Sequence, residues 1–234
     1  MCATASAPCW TTSRESRKCS SPGLSGCMFL DRTDAAHRLV TRLIAYKGRN
    51  PLVLAIPRGA VPIAKIIADA LAGELDVVLV RKLRAPNQPE LAIGSVNESG
   101  WTFAADFAKF YGADSKYIDA EKQVQIETIR QRRAQYTPIR PPINPAGRIV
   151  IVVDDGLATG ATMIAALHGL RTAKPAWLIC AVPVSPPDTL VKVAELADEV
   201  ACIETPQIFQ AVGQFYRNFP QVCDEEVYEL LKSN

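Results

Sequence analysis

Along this chain the hydrophobic residues gather into short unbroken runs, separated by longer stretches in which apolar and polar positions share a helical period. Residues 52–56, 77–80, 149–153, 177–182 and 200–203 are such runs. A run of strand length with no polar alternation describes a strand covered on both faces. Between the runs, Ala35, Leu39, Leu43 and Ile44 share one helical face ahead of Gly48, and residues 60–72 read as a helix closed by Gly73. Residues 115–136, 161–172 and 188–197 read as further helices, the first of them charged along one side. Residues 92–96 and 101–104 flank the turn cluster Asn97-Glu98-Ser99-Gly100 and predict a hairpin, while 81–90 is a polar, proline-bearing stretch read as a loop. Strands alternating with helices in this way predict an α/β fold, doubly wound around a mostly parallel five-stranded sheet.

Residues 1–27 show neither period. They are rich in Ser, Thr, Cys and Pro and read as a disordered leader or as the product of an upstream start codon, with Met28 opening the domain that runs over 28–234. A transit peptide is the other reading of the same residues, since they contain Arg and Ser and few acids.

Composition narrows the class. The chain has 234 residues, 48% of them apolar and 21% charged, which suits one soluble α/β domain. No apolar run approaches the roughly 18–20 residues of a membrane span. The net charge of +2 comes entirely from Arg14, Arg17 and Lys18 against Glu15, so the chain from Phe29 onward is formally neutral. That balance gives no polyelectrolyte argument for nucleic acid. Cys180, Cys202 and Cys223 are widely separated and lack metal-ligand spacing. They predict buried thiols of a reducing cytosol, hence a cytoplasmic protein.

The chemistry concentrates in residues 149–162. A buried strand delivers Asp154 and Asp155, then the small and hydroxyl residues Gly156, Leu157, Ala158, Thr159 and Gly160, then Ala161 and Thr162 at the start of a helix. Open α/β sheets bind ligands at the carboxyl ends of their strands. A loop of small residues at a helix N-terminus offers backbone N–H groups to an anion. Two acids beside an anion cradle are compatible when the ligand is a sugar phosphate, with carboxylates accepting from ribose hydroxyls and the loop holding phosphate. The plainer alternative is a strand–turn–helix in which the acids merely cap. There is no Gly-Lys-Ser/Thr sequence of a Walker loop and no dinucleotide fingerprint.

The segment Val152-Val153-Asp154-Asp155-Gly156-Leu157-Ala158-Thr159-Gly160-Ala161-Thr162 resembles the signature of the type I phosphoribosyltransferases. Ile56-Pro57-Arg58-Gly59-Ala60 resembles that family's pyrophosphate loop, and Arg81-Lys82-Leu83-Arg84 the start of its mobile loop. From about Phe29 on, the chain looks like a little-characterised bacterial branch, marked by Pro89-Glu90-Leu91-Ala92-Ile93-Gly94 and by Phe209, Ala211, Val212, Gly213 and Tyr216. The resemblance implies transfer of phosphoribose from 5-phosphoribosyl-1-pyrophosphate to a nitrogen nucleophile such as a nucleobase, with Mg²⁺ held mainly through the substrate. It implies that Asp154 and Asp155 hold ribose hydroxyls, with a water-mediated contact to Mg²⁺ open to them. Gly156, Ala158, Thr159, Gly160, Ala161 and Thr162 would line the 5′-phosphate. Arg58 and Gly59, with Arg81 and Lys82 as catalytic residues, would serve the pyrophosphate end. The implied fold carries a small hood built from the N-terminal helix and C-terminal elements.

One position departs from the family pattern. Purine-using members place an acid just before Thr-Gly, near N7 of the base, where this chain has Ala158. A pyrimidine or smaller nitrogen nucleophile is therefore the expected acceptor. A non-enzymatic regulator that binds the sugar pyrophosphate is the rival from another class, and a phosphatase-like use of the site is a third. His37 and His168 fall on helices away from these loops, and Phe209, Phe215, Tyr216 and Phe219 read as packing before stacking. The helix around 121–133 reads as a solvated or subunit-facing surface, which leaves a homodimer open.

Overall fold

The computed structural model describes residues 29–232; the leader expected over 1–27 lies outside them. Among the described residues eight strands and six α-helices follow one another as α1 (Arg32–Leu43), β1 (Leu52–Ala55), α2 (Val61–Leu71), β2 (Glu74–Val77), β3 (Val80–Ala85), β4 (Gln88–Asn97), β5 (Thr102–Ala104), α3 (Ser115–Tyr136), β6 (Ile149–Val153), α4 (Ala161–Thr172), β7 (Trp177–Val184), α5 (Pro187–Ala194), β8 (Glu199–Glu204) and α6 (Asp224–Lys232). The main sheet has the order β2-β1-β6-β7-β8, and every pairing in it is parallel. The five-stranded sheet expected from the apolar runs is therefore present.

Both faces of that sheet are buried, which explains the unbroken runs. Val53, Ala55, Ile151, Val153, Ile179 and Ala181 share a core with residues of α1 and α2, including Ala36, Leu39, Ile63 and Ile67. Their neighbours Leu52, Leu54, Val150, Val152, Leu178, Cys180 and Val182 pack with Met163, Ile164 and Leu167 of α4 and Val193 of α5. Successive side chains of a strand point to opposite faces, so a chain covered on both sides must be apolar at every position.

One apolar run is not a single strand. Val77 ends β2 in the parallel sheet and Val80 opens β3 in a second, antiparallel sheet of order β3-β4-β5. Val77, Val78 and Leu79 are all buried, so the hydrophobic pattern passes unbroken through the change of sheet. Residues 81–90, expected as a loop, belong to this ribbon instead. The ribbon is docked on α4, where Ser95 Oγ donates to the Ala161 carbonyl at 2.7 Å and Asn97 Nδ2 donates to the Ala165 carbonyl at 2.8 Å. A Cβ on Gly169 would lie 2.3 Å from Asn97 Nδ2, so glycine is what permits the approach. From the other side α3 braces it. Arg133 donates to both Glu98 carboxylate oxygens at 2.8 and 2.7 Å and to the Val77 carbonyl at 2.8 Å.

The hood forms where the start of the described chain meets the segment around residues 215–218. Phe29 bridges Tyr216, its N–H donating to the Phe215 carbonyl at 2.9 Å while its own carbonyl accepts from the Arg217 N–H at 2.9 Å. Phe29, Phe215 and Tyr216 are buried together with Phe209 and Phe219 packed against them. These aromatics pack on one another, as the sequence favoured, but around a 3₁₀ turn at Val212–Phe215 rather than along an α-helix. His37 is exposed, and His168 stacks on Trp101 with ring centroids 3.9 Å apart. Among the described residues no helix is long and apolar enough to cross a membrane.

Candidate functional site

The register of the parallel sheet brings the two expected loops together. Ala55 pairs with Val153, and Val153 with Ala181, so the segments leaving β1 and β6 emerge side by side at the carboxyl edge. The Ile56 N–H donates to the Val153 carbonyl at 3.0 Å, which continues that pairing into the loop holding Arg58 and Gly59. The Pro57–Arg58 peptide bond is cis. Gly59 lies against the acids: a Cβ there would come within 2.0 Å of Asp155 Oδ2, so no larger residue fits without moving the carboxylate.

Beyond β6 the chain turns through a loop held from outside. The Leu157 N–H donates to the Val184 carbonyl at 2.9 Å, and Thr189 Oγ1 of α5 donates to the Ala158 carbonyl at 2.7 Å. Gly160 has a φ of +75° immediately before α4 and would meet Thr189 Cγ2 at 2.7 Å if it carried a Cβ. Both the left-handed backbone and the close approach call for glycine at this position. The N-cap Gly160 has no side chain to cap α4, and the Ala161 N–H reaches only the Thr159 hydroxyl at a long 3.4 Å, while Ala158 and Thr159 are exposed to the cleft. Uncapped N–H groups at a helix start favour an anion.

Gly59, Arg81, Lys82, Asp154 and Asp155, with the whole loop from Gly156 to Thr162, line one cavity of about 530 Å³. Eleven of the twelve residues singled out from the sequence are thereby brought together. The twelfth, Arg58, turns away from this cavity and pairs with Asp224 of α6 at 3.4 Å, beside Arg132, which reaches the same carboxylate at 3.1 Å. It lines a smaller neighbouring cavity with Arg32, Gly59 and Asp155. Arg81 and Lys82 lie on β3, paired with Val96 and Ser95, and not on an open loop. Arg81 Nε donates to Gln125 Oε1 of α3 at 3.2 Å. Burial, with Arg132 and Arg84 nearby, lowers the Arg81 pKa from its ordinary value.

The two acids differ sharply. Asp155 is clamped by Arg32, whose Nη2 and Nε lie 2.9 and 3.3 Å from the same oxygen, Oδ2. Arg32 is itself fixed by the Pro220 carbonyl at 2.7 Å and lies 3.9 Å over the Phe219 ring. Tyr216 Oη donates to the Asp155 carbonyl at 2.7 Å, and burial keeps that phenol protonated by pushing its pKa upward. Burial raises the Asp155 carboxyl too, with Arg32 pulling it back. Asp154 has no such clamp. Burial and the neighbouring charge of Asp155 push it well above the usual carboxylate range, offset only by its hydrogen bond from the Asp155 N–H and by the charges of Lys82 and Arg32. An acid held in that condition is poised for hydroxyl donors or a cation.

Sequence reasoning missed Arg32, and it named Tyr216 as a hallmark and a packing aromatic without its bond to Asp155. Each acts on Asp155 from a distant part of the chain, and no local period marks them. Arg32 did carry one signal, as a charge in the first turn of a helix whose neighbours Ala35 and Ala36 are fully buried.

Comparison with known proteins places this cleft among relatives. Residues 30–219 match the phosphoribosyl transferase domain family. A Mycobacterium tuberculosis (strain H37Rv) protein provisionally named a phosphoribosyl transferase is 42% identical over 205 residues, covering 87% of this chain and 46% of that protein. The chain thus spans about half the length of the curated relatives it matches. An adenine phosphoribosyltransferase of Rhodospirillum centenum is 30% identical over 115 residues, 47% of this chain and 67% of that protein. The crystal structure of a Thermus thermophilus protein superposes with a TM-score of 0.74 at 41% identity, covering 88% of this chain and 98% of its own. With the matched region running through the hood, both loops and the ribbon, this chain belongs to the phosphoribosyl transferase domain family.

Proposed function

We propose that the protein transfers phosphoribose from 5-phosphoribosyl-1-pyrophosphate to a nitrogen base, releasing pyrophosphate. The observation that carries this reading is the single cleft in which Asp154 and Asp155, the loop from Gly156 to Thr162 and the cations of β3 converge. An anion cradle at one end, a carboxylate pair in the middle and cations on the facing wall match a ligand with phosphate, ribose diol and pyrophosphate in that order. In this assignment backbone N–H groups of the loop and the hydroxyls of Thr159 and Thr162 take the 5′-phosphate. Asp154 and the unclamped Oδ1 of Asp155 accept from the ribose hydroxyls. Gly59, Arg81 and Lys82 serve the pyrophosphate, with Arg58 joining them when it leaves Asp224.

Breaking the bond from C1 to pyrophosphate leaves positive charge on the ribose ring and negative charge on the departing group. Charges held against those positions stabilise both, so the residues need only position, neutralise and exclude water. A divalent cation fits the donor set. Burial leaves Asp154 short of positive charge, and no group of three or more His, Cys, Asp or Glu side chains among the described residues offers a metal cage. Mg²⁺ would therefore take most of its ligands from substrate oxygens and water, with Asp154 and Asp155 reached through water, and would supply neutralisation of the pyrophosphate charge. The acceptor is a nitrogen base that does not depend on an acid at Ala158. Mass-spectrometric identification of an N-linked ribose 5-phosphate product from the sugar pyrophosphate and a base tests the proposal. Free ribose 5-phosphate as the sole product would replace it with the hydrolytic reading.

A further inference from the structure

Helix α3 reads in the sequence as a solvated or subunit-facing surface, yet one of its polar residues is buried behind the ribbon. Gln125 is only 4% exposed. Burying an amide is costly unless its polar ends find partners, and both ends of this one do. Gln125 Nε2 donates to Glu121 Oε1 at 2.9 Å, and Gln125 Oε1 accepts from Arg81 Nε at 3.2 Å. Glu121, one turn earlier on α3, also accepts from the Arg84 N–H at 3.3 Å. An ionised carboxylate can only accept, so Glu121 takes the amide N–H and leaves the amide oxygen to face Arg81.

Strand alternation shows what this chain of contacts has to do. Arg81 is in phase with Leu83, which is buried in the core that includes Ile129 of α3, whereas Lys82 is exposed on the other face. Arg81 nevertheless lines the cleft. Its Nε is taken by Gln125, while its two Nη groups have no hydrogen bond or ion pair among the described residues. Arg132 and Arg84 stand close enough to repel it. A neutral amide can fix a guanidinium in that setting without cancelling its charge, which a carboxylate in direct contact would do. Tying α3 to the ribbon does not require Gln125, since Tyr117 Oη already donates to the Arg84 carbonyl at 3.0 Å and Arg133 grips Glu98. Resting on the transferase reading above, we propose that Gln125 is a positioning residue: with Glu121 behind it, it fixes the Arg81 guanidinium at the cleft wall so that both Nη groups meet the pyrophosphate of the substrate.

Calorimetry with Mg²⁺ measures the affinity of two probes, inorganic pyrophosphate and ribose 5-phosphate, for wild type and Gln125→Met, with and without Arg81→Ala. Methionine keeps the length of the side chain and removes the acceptor. Gln125→Met is expected to weaken pyrophosphate about tenfold, the scale of one hydrogen bond to a charged group. Ribose 5-phosphate, assigned to the opposite end of the cleft, should bind as in wild type. In the Arg81→Ala background Gln125→Met should have no further effect on pyrophosphate, because the group it positions is gone. Should Gln125→Met not fold, Gln125→Glu serves the same comparison: it keeps an acceptor for Nε but cancels the guanidinium charge, and predicts the same selective loss. Wild-type affinity for pyrophosphate in the folded variant, an equal loss for both probes, or an equal loss with and without Arg81 overturns the assignment of Gln125. Pyrophosphate binding that responds as expected, in a protein that releases none from the sugar pyrophosphate with any base, overturns the transferase reading and leaves Gln125 positioning Arg81 for an anion. No binding of pyrophosphate by wild type overturns both.

Discussion

Arg32, in the first turn of α1, closes on a single oxygen of Asp155, 123 residues away, and makes no contact with the other oxygen of that carboxylate. The pair is the joint between the hood and the floor of the cleft, because Arg32 also holds the Pro220 carbonyl and covers Phe219. With side chains only 10% and 17% exposed, removing one partner leaves a buried charge uncompensated. Arg32→Met is expected to cost about 3–5 kcal/mol in unfolding free energy, read from urea denaturation. The double variant with Asp155→Asn should recover part of it. An additive double variant would show that the pair does not act as a unit.

Asp154 is expected to trade stability for binding. Burial and Asp155 raise its folded pKa above 3.8, so the unfolded chain gives up this proton first as pH rises. The unfolded state then binds fewer protons than the folded state, and stability falls from pH 3.8 up through the raised folded pKa. Asp154→Asn should flatten that fall and be more stable than wild type at neutral pH. The same substitution should weaken binding of the sugar pyrophosphate about ten- to a hundredfold through loss of a charge-assisted hydrogen bond. Urea midpoints across pH, with calorimetry at neutral pH, check both halves; wild-type affinity in the variant would remove Asp154 from the site.

How much of this was legible in the sequence varies by element. The parallel core was readable because burial on both faces leaves no polar position in residues 149–153, and the site was readable because two acids and a run of small and hydroxyl residues follow directly. The ribbon was not. Leu83 and Ala85 do alternate with Lys82 and Arg84, but the polar and charged residues around Pro89 suit a loop equally well. The boundary between β2 and β3 was hidden because Val78 and Leu79 are buried between the sheets. The role of Arg32, and the partner of Tyr216, were beyond reach, since what they hold is fixed only by the folded path of the chain.

The docked ribbon leads us to expect Lys82 to act from a fixed position. It lies on a strand whose partner β4 is pinned to α4 by Ser95 and Asn97, and its charge already acts on Asp154. Lys82→Ala is expected to weaken ground-state binding of the sugar pyrophosphate by about tenfold or more. Unchanged calorimetric affinity with reduced turnover would instead assign Lys82 to a moving segment.

Gly169 tests the docking of that ribbon from a distance. Gly169→Ala would drive a methyl into the Asn97 amide, breaking its bond to the Ala165 carbonyl. A buried polar group left unsatisfied costs about 1–3 kcal/mol. Thermal unfolding should register that loss, and turnover should fall with it; wild-type stability would show that Asn97 is not a clamp.

Acceptor choice provides a further check. With Ala158 in place of an acid, hypoxanthine and guanine should be poor acceptors, since general acid–base help is worth about a hundred- to ten-thousandfold. Ala158→Asp should raise purine turnover where the remaining pocket admits the base. Steady-state rates with each base measure both effects, and efficient hypoxanthine conversion by wild type would contradict the role assigned to this position.

The measurement that bears most directly on the transferase assignment is pyrophosphate release from 5-phosphoribosyl-1-pyrophosphate with Mg²⁺, followed with and without added nitrogen bases. A cleft that positions sugar, pyrophosphate and acceptor together predicts release that requires a base and is lost in Asp154→Asn. Release at the same rate without any base would show hydrolysis. Tight binding of the sugar pyrophosphate with no release under any condition would make the protein a sensor and contradict the transferase assignment.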